Sequence, residues 1–520
     1  MNWNKGLLAG VAAVSMQVAV PVHAQMTAPA TNAATQTVDT AVANAIRSAA
    51  DGPLREFYAE RGYRPLWVAS GEVGAVALGL ISHIEGAAVD GLDPSAYDPD
   101  DLREMIRAAS GGSPETLARA ELTLSQAFAR LVSDMRRPRA EMHYAEPELQ
   151  PGAIAPADVL RRAARADSFD EYLTGMEWMH PAYVGLRGQL LAARQQRQIP
   201  SIDVPAGPLL RPGDSGERVA LLRQRLGLSG DGHYDDELAQ AVRSFQHVNG
   251  LAADGVAGSR TLAALNRGLD AAPRNAERIL AINLERARLL PDAHTRHVVV
   301  NAAAAELSYY GQGERQGAMK VVVGTPETPT PMMAGMIRYA TLNPYWNLPA
   351  DLAARIIAPR MIEGHSLSAM GYEVLSGWTR EAEVIDPATV DWRSVAAGKE
   401  LARVRQLPSA RNSMGSVKYI FPNEMGVFLH DTPSRSLFDK PARQFSNGCV
   451  RLEDAERLGE WLFGQRLAAE TKEPEQYRHV PEPVPVYITY LTAAPVGRNI
   501  AFFPDVYTRD EQAMVQVAAR

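Results

Sequence analysis

Three rhythms of apolar and polar positions follow one another along the chain. From about Val42 to Gln198, alanine, leucine and arginine recur at helical spacing, as in PETLARAELTLSQAFARLVSDM, and this predicts a largely helical first domain over 42–205. FYAERGYRPLWV and GLDPSAYDP interrupt it and read as packing and loop residues. After the proline-rich joint IPSIDVPAGPLLRPGDSG, a shorter helical pattern fills 207–268. There Asp214-Ser215-Gly216-Glu217 offers a helix start, with Val219, Leu222 and Leu226 on one face. DELAQAVRSFQHVNG then places Leu238, Val242 and Phe245 on one side and stops at Gly250, and ADGVAGSRTLAALN gives a glycine turn and a third helix. From about His297 the rhythm turns strand-like, in HVVVNAAAAELSYYG, AMKVVVGT, VKYIF, GVFLHD and VPVYITYL. A β-rich domain is expected over 280–490. Within it, about 350–415 mixes helical and loop text at a length that usually carries its own structure, and is expected to be an inserted lid. Residues 491–520 form a tail without an interpretable pattern. The fold class that follows is multidomain α+β.

The first residues change where the chain belongs. Lys5 precedes an apolar run from Gly6 to Val20, followed by Pro21 and the small-residue stretch Val22-His23-Ala24, the shape of a secretory signal over 1–24. The run is shorter than the ~20 residues of a spanning helix, so an uncleaved membrane anchor is the alternative. Both place the mature chain outside the cytoplasm. Residues 25–41, rich in Ala, Thr and Gln, read as a flexible tether. Composition adds two limits. A length of 520 residues calls for several domains, and a net charge of -7 argues against nucleic acid as a partner. The chain has 1 cysteine, so no internal disulfide can form, and Cys449 is either a working nucleophile or a buried packing residue.

The densest chemistry runs from His430-Asp431-Thr432-Pro433 to Ser446-Asn447-Gly448-Cys449-Val450-Arg451. A thiol is a weak nucleophile until deprotonated, and His430, ending a strand-like run, is a candidate base. Gly448 lets the backbone turn beside the cysteine, so peptide N–H groups could face a developing oxyanion. Ser446 and Asn447 either add donors or hold the turn. Arg451 shares the thiol's face by strand alternation, where it could lower the thiol pKa, hold a substrate carboxylate or form a structural ion pair.

HDTPSRSLF with RQFSNGCVRL resembles the signature of the L,D-transpeptidase (YkuD) family, and more narrowly its large YcbB-like branch from Gram-negative periplasms. GTPETPTP, LNPYWNLP and KYIFPN agree with it, and the 207–268 pattern resembles the three-helix peptidoglycan-binding module. The resemblance implies Cys449 as nucleophile, His430 as base, Ser446, Asn447, Gly448 and Arg451 around the oxyanion site, and Trp346 and Phe428 as aromatic groove residues. It implies a periplasmic enzyme that needs no metal or cofactor. Its partners would be peptidoglycan stem peptides and glycan, and by association other wall-synthesis enzymes. Its thiol would be open to acylation by β-lactams of the carbapenem type. QLPSARNSMG at 406–415 departs from the branch, which carries a Pro-Gly turn and an Ala-Leu-Gly run there.

Rival readings remain on the table. A zinc peptidase would need ligands that are not patterned here, since no H-E-x-x-H occurs. A non-catalytic wall-binding scaffold would not need His430 or Cys449. Within the same chemistry, water as acceptor would make an L,D-carboxypeptidase and a free D-amino acid an exchange enzyme.

Overall fold

The computed structural model describes residues 31–518 apart from 138, 153, 199–202, 249–250, 271–274, 380 and 498, so the signal expected over 1–24 lies outside the described residues. Among the described residues no helix is long and apolar enough to cross a membrane.

The helical region is organised by the helix Pro114–Met135, whose buried face carries Leu117, Leu124, Phe128, Leu131 and Met135. It starts where the Ser113 side chain accepts the Thr116 N–H and a proline takes the first turn, the positions at which both are favoured. Glu121 is fully buried on this helix. Its carboxylate is satisfied by the Tyr58 hydroxyl and by the N–H groups of Leu66 at 2.5 Å, Trp67 at 2.9 Å and Val68 at 3.1 Å, which pins the preceding loop to the helix. The tether expected over 25–41 is corrected here, because the helix Thr31–Ala49 already includes 31–41. Val42 and Ile46, both buried against the helix Pro114–Met135, anchor a turn pattern that the Ala/Thr composition upstream does not reveal.

The peptidoglycan-binding-like pattern folds as the helices Glu217–Arg225, Asp236–Val248 and Ser259–Asp270 around Val219, Leu222, Leu238, Val242 and Leu262. The next helix, Ala276–Ala287, lies within the span expected to be β-rich, yet Leu280, Leu284 and Ala287 pack into the helical core.

A 10-stranded mixed sheet follows. Its core face is lined by Val298, Val300, Leu307, Val321, Val323, Tyr419, Leu429, Val450 and Leu452, covered by Leu458 and Leu462 of the helix Ala455–Phe463. Residues 346–406 hold a second, 4-stranded sheet with its own core around Leu348, Ile357, Val374, Trp392 and Val404. The stretch expected to be a tail returns to the body of the molecule. The strands Ala493–Val496 and Asn499–Phe502 pair with each other, and Asp510 is buried against Arg286 and the Thr492 hydroxyl. Its polar text hides this because its anchors are single residues set in other elements.

Helical and sheet regions meet at two buried histidines. His180 Nδ1 accepts the Ala182 N–H at 3.0 Å, so the neutral ring carries its proton on Nε2. His297 Nδ1 donates to the Thr295 carbonyl at 2.6 Å, leaving Nε2 as an acceptor. The rings lie 5.5 Å apart, and neither Nε2 has a partner among the described residues. Burial pushes His180 well below its ordinary pKa and His297 down to about 4. A histidine depressed in the folded state gives stability that is complete above its unfolded pKa and is lost as pH falls towards the folded value. Stability should therefore drop between about pH 6.5 and pH 4, by on the order of 3 kcal/mol from His297 alone. Urea midpoints across that window should fall less steeply for His297→Gln than for the wild type.

Candidate active site

Strand pairing assembles the site. The strand Leu429–His430 runs parallel to Val450–Leu452, with Leu429 opposite Val450 and His430 opposite Arg451. Directly paired residues share a face, and side chains alternate along each strand. Leu429, Val450 and Leu452 point into the core, so His430, Arg451, Phe428 and Cys449 belong to the opposite face. The Phe428 and His430 rings lie 5.7 Å apart.

The turn before the cysteine depends on one glycine. Gly448 has φ +107°, a region that L side chains rarely adopt. Ser446 holds the turn closed, its hydroxyl accepting the Gly448 N–H at 3.2 Å and donating to the Cys449 carbonyl at 2.5 Å. Asn447 is exposed at the apex. Trp346 sits in the smaller sheet, opposite Gln406, packed on the core of the 346–406 unit.

The same turn is gripped from behind by residues to which the sequence assigned no role. The Thr330 hydroxyl donates to the Gly448 carbonyl at 2.9 Å and accepts the Gly324 N–H at 2.8 Å. The Ser446 carbonyl accepts from the Thr325 N–H at 3.0 Å and the Thr328 hydroxyl at 3.2 Å. From the C-terminal segment, the Tyr507 hydroxyl donates to the Gly324 carbonyl at 2.6 Å and Arg509 donates to the Thr330 carbonyl at 3.0 Å. A chain of hydrogen bonds thus runs from the C-terminal segment to the residue before the thiol.

Electrostatics define the resting state. His430 is buried, and its Nδ1 lies 2.6 Å from the Asp431 carbonyl, which only accepts, so Nδ1 carries the proton and Nε2 is free to take another. Burial, then the Arg451 guanidinium, hold His430 down to about 3. Burial pushes the Cys449 thiol up from its ordinary value, against the Phe428 backbone and Arg451, which favour the thiolate. Thiol and imidazole are therefore both neutral at rest. Among the described residues the thiol has no hydrogen bond to the imidazole, and Sγ instead donates to the Gly426 carbonyl at 3.7 Å. The buried Arg451 Nε has no partner among the described residues. Such an arrangement suits a nucleophile deprotonated during attack by an imidazole of fixed tautomer, as acyl transfer requires.

Comparison with known proteins was made on this basis. Residues 295–479 match the model of the L,D-transpeptidase catalytic domain (YkuD), 215–265 that of a putative peptidoglycan binding domain, and 52–190 that of a scaffold domain. A putative L,D-transpeptidase of Haemophilus influenzae is 32% identical over 241 residues, covering 45% of this chain and 48% of that protein. The chain thus spans about half the length of the curated relative it matches. Among solved structures, an L,D-transpeptidase from Xylanimonas cellulosilytica is similar at 18% identity, 55% of this chain, 98% of that chain and a TM-score of 0.17. Another, from Mycobacterium smegmatis, is similar at 14% identity, 37% of this chain, 58% of that chain and a TM-score of 0.18.

Two outcomes test the site as described. Because the thiol is raised and Arg451 favours its anion, iodoacetamide alkylation of Cys449 should still be accelerating above about pH 9, and Arg451→Met should slow it several-fold at about pH 8. Tyr507→Phe removes a hydrogen bond from the grip behind the turn, and should cost about 1 kcal/mol of stability by urea unfolding while lowering the maximal rate of Cys449 acylation.

Proposed function

We propose, for a chain whose residues 295–479 are an L,D-transpeptidase catalytic domain of the YkuD family, that it cross-links peptidoglycan stem peptides through a thioester on Cys449. The observation that carries the reading is the placement of Cys449, His430 and Arg451 on one face of two parallel strands, behind a left-handed glycine turn.

The reaction has two halves. Rotation of the Cys449 side chain away from the Gly426 carbonyl brings Sγ towards His430 Nε2. The imidazole takes the thiol proton as sulfur attacks the carbonyl carbon of an L-centre in the donor stem. The Cys449 N–H, beside the Gly448 turn, is the backbone donor best placed for the oxyanion, because the Gly448 N–H is engaged by Ser446. When the tetrahedral adduct collapses, the C–N bond to the terminal D-amino acid breaks, and the imidazolium returns its proton to the leaving amine. In the second half an amine from a neighbouring stem attacks the thioester, His430 takes a proton from it, and the thiol is regenerated. Arg451 steadies the anionic sulfur or a substrate carboxylate. Asn447, Phe428 and Trp346 are groove contacts in this reading.

The peptidoglycan-binding domain would hold the glycan close by, and export through the N-terminal signal would deliver the chain to the periplasm. Carbapenem-type β-lactams would acylate the same sulfur.

Incubation of the full chain with a purified tetrapeptide-bearing muropeptide, followed by mass spectrometry, separates the outcomes. Dimers are expected, whereas tripeptide alone or exchanged stems would assign the acceptor to water or a free D-amino acid. Cys449→Ala should abolish all products, and His430→Ala should slow acylation roughly 10²- to 10⁴-fold. Cross-links made by Cys449→Ala would overturn the reading.

A further inference from the structure

The Cys449 face continues away from the thiol as a row of directly paired residues. Arg451 lies opposite His430, His430 opposite Lys418, Lys418 opposite Thr341 and Thr341 opposite Tyr477. Paired residues share a face, so this row crosses five strands on the reactive side of the sheet. At its far end Lys418 Nζ lies 3.0 Å from a carboxylate oxygen of Glu475, with the two side chains only 14% and 26% exposed. The Tyr477 hydroxyl donates to the other oxygen at 2.9 Å. Burial pushes the Glu475 carboxyl up, but Lys418, Tyr477 and the Tyr345 backbone together hold it below its ordinary value, so it is a carboxylate at neutral pH. Thr341, wholly buried in the same row, has a hydroxyl with no partner among the described residues.

Stability does not account for this pair. A largely buried ion pair must first repay the desolvation of both charges, and Glu475 is held at φ +53°, a backbone region costly for a residue with a side chain. Distance narrows its use. Neighbouring strands lie about 4.8 Å apart, so the Lys418 strand is on the order of 10 Å from the strand that follows Cys449. The amine that attacks the thioester must reach the carbonyl itself, so it cannot sit here. A group on the donor that is displaced from the reacting carbonyl by one extended side chain can.

We propose that Lys418 and Glu475 form a subsite that reads the charged tip of the donor's diamino acid side chain. Glu475 binds the ammonium, and Lys418 binds the adjacent carboxylate where the tip is zwitterionic, as in meso-diaminopimelate. Bound this way, the tip inserts into the existing ion pair so that each charge gains an opposite neighbour. A neutral tip offers no such exchange and is disfavoured. This inference rests on the transpeptidase reading above.

The experiment uses the full chain and three synthetic tetrapeptide donors that differ only in the third residue: meso-diaminopimelate, L-lysine or L-norleucine. Single-turnover formation of the Cys449 acyl-enzyme is followed by intact mass. The wild type should prefer diaminopimelate over lysine and lysine over norleucine, each by about tenfold. Glu475→Gln should collapse the lysine-to-norleucine ratio, and Lys418→Met the diaminopimelate-to-lysine ratio. Ratios within one protein are insensitive to partial misfolding or to a general loss of rate. Equal slowing of all three donors by either variant, or a wild type that treats them alike, overturns the subsite. Absence of acylation from every donor overturns the transpeptidase reading and the subsite with it.

Discussion

The arrangement of the reactive face depends on a left-handed turn at Gly448. A positive φ next to Cys449 reverses the chain between an exposed apex at Asn447 and a buried strand at Val450. Such a turn is not self-sustaining, because glycine also has the largest freedom to leave it. The protein holds it by tying the two carbonyls flanking the apex to the Thr325–Thr330 loop, and the loop in turn to Tyr507 and Arg509. Gly324 is part of that grip. A Cβ there would collide with the backbone of Thr328, so the loop can close over the turn only at a glycine.

Neutrality of the resting pair follows from the same packing. The strand geometry that places His430 beside Arg451 also removes water from the imidazole, and both effects disfavour its cation. Arg451 helps the thiolate but works against imidazolium, so a preformed ion pair is not the resting state. A thiol held in this way is also protected, since oxidation and exchange proceed through the thiolate.

Local chemistry was legible in the sequence where neighbours along the chain decide it. The Cys449 turn, the His430 strand and the face shared by Arg451 follow from residue type and alternation, and the three-helix module from glycine punctuation. What was not legible is carried by pairs far apart in sequence. Thr330 meets Gly448 across 118 residues and Tyr507 meets Gly324 across 183, and nothing in the local text of either end names its partner. The C-terminal stretch therefore read as a tail. The tether expectation failed for a related reason, because Val42 and Ile46, near the end of the helix Thr31–Ala49, are what anchor it. Nor could the sequence say that the Leu429–His430 strand lies between Val417–Ile420 and Val450–Leu452, and without that order Lys418 has no relation to the thiol.

The segment returning from the smaller sheet is tied to the residue after His430 by the Asp431 side chain. Asn412 donates to the carbonyls of Pro344 and Leu407 at 3.1 and 3.0 Å, closing the neck of the 346–406 unit. Just beyond it, the Ser416 N–H and hydroxyl both donate to the Asp431 carboxylate, at 2.8 and 2.9 Å, with Arg435 on its other oxygen at 2.7 Å. Gly415, at φ +61°, leaves the room that this approach to Asp431 requires. The Asp431 carbonyl is the acceptor that fixes the His430 tautomer. The neck of the smaller sheet and the orientation of the imidazole are thus anchored on the same aspartate, its side chain serving one and its main chain the other.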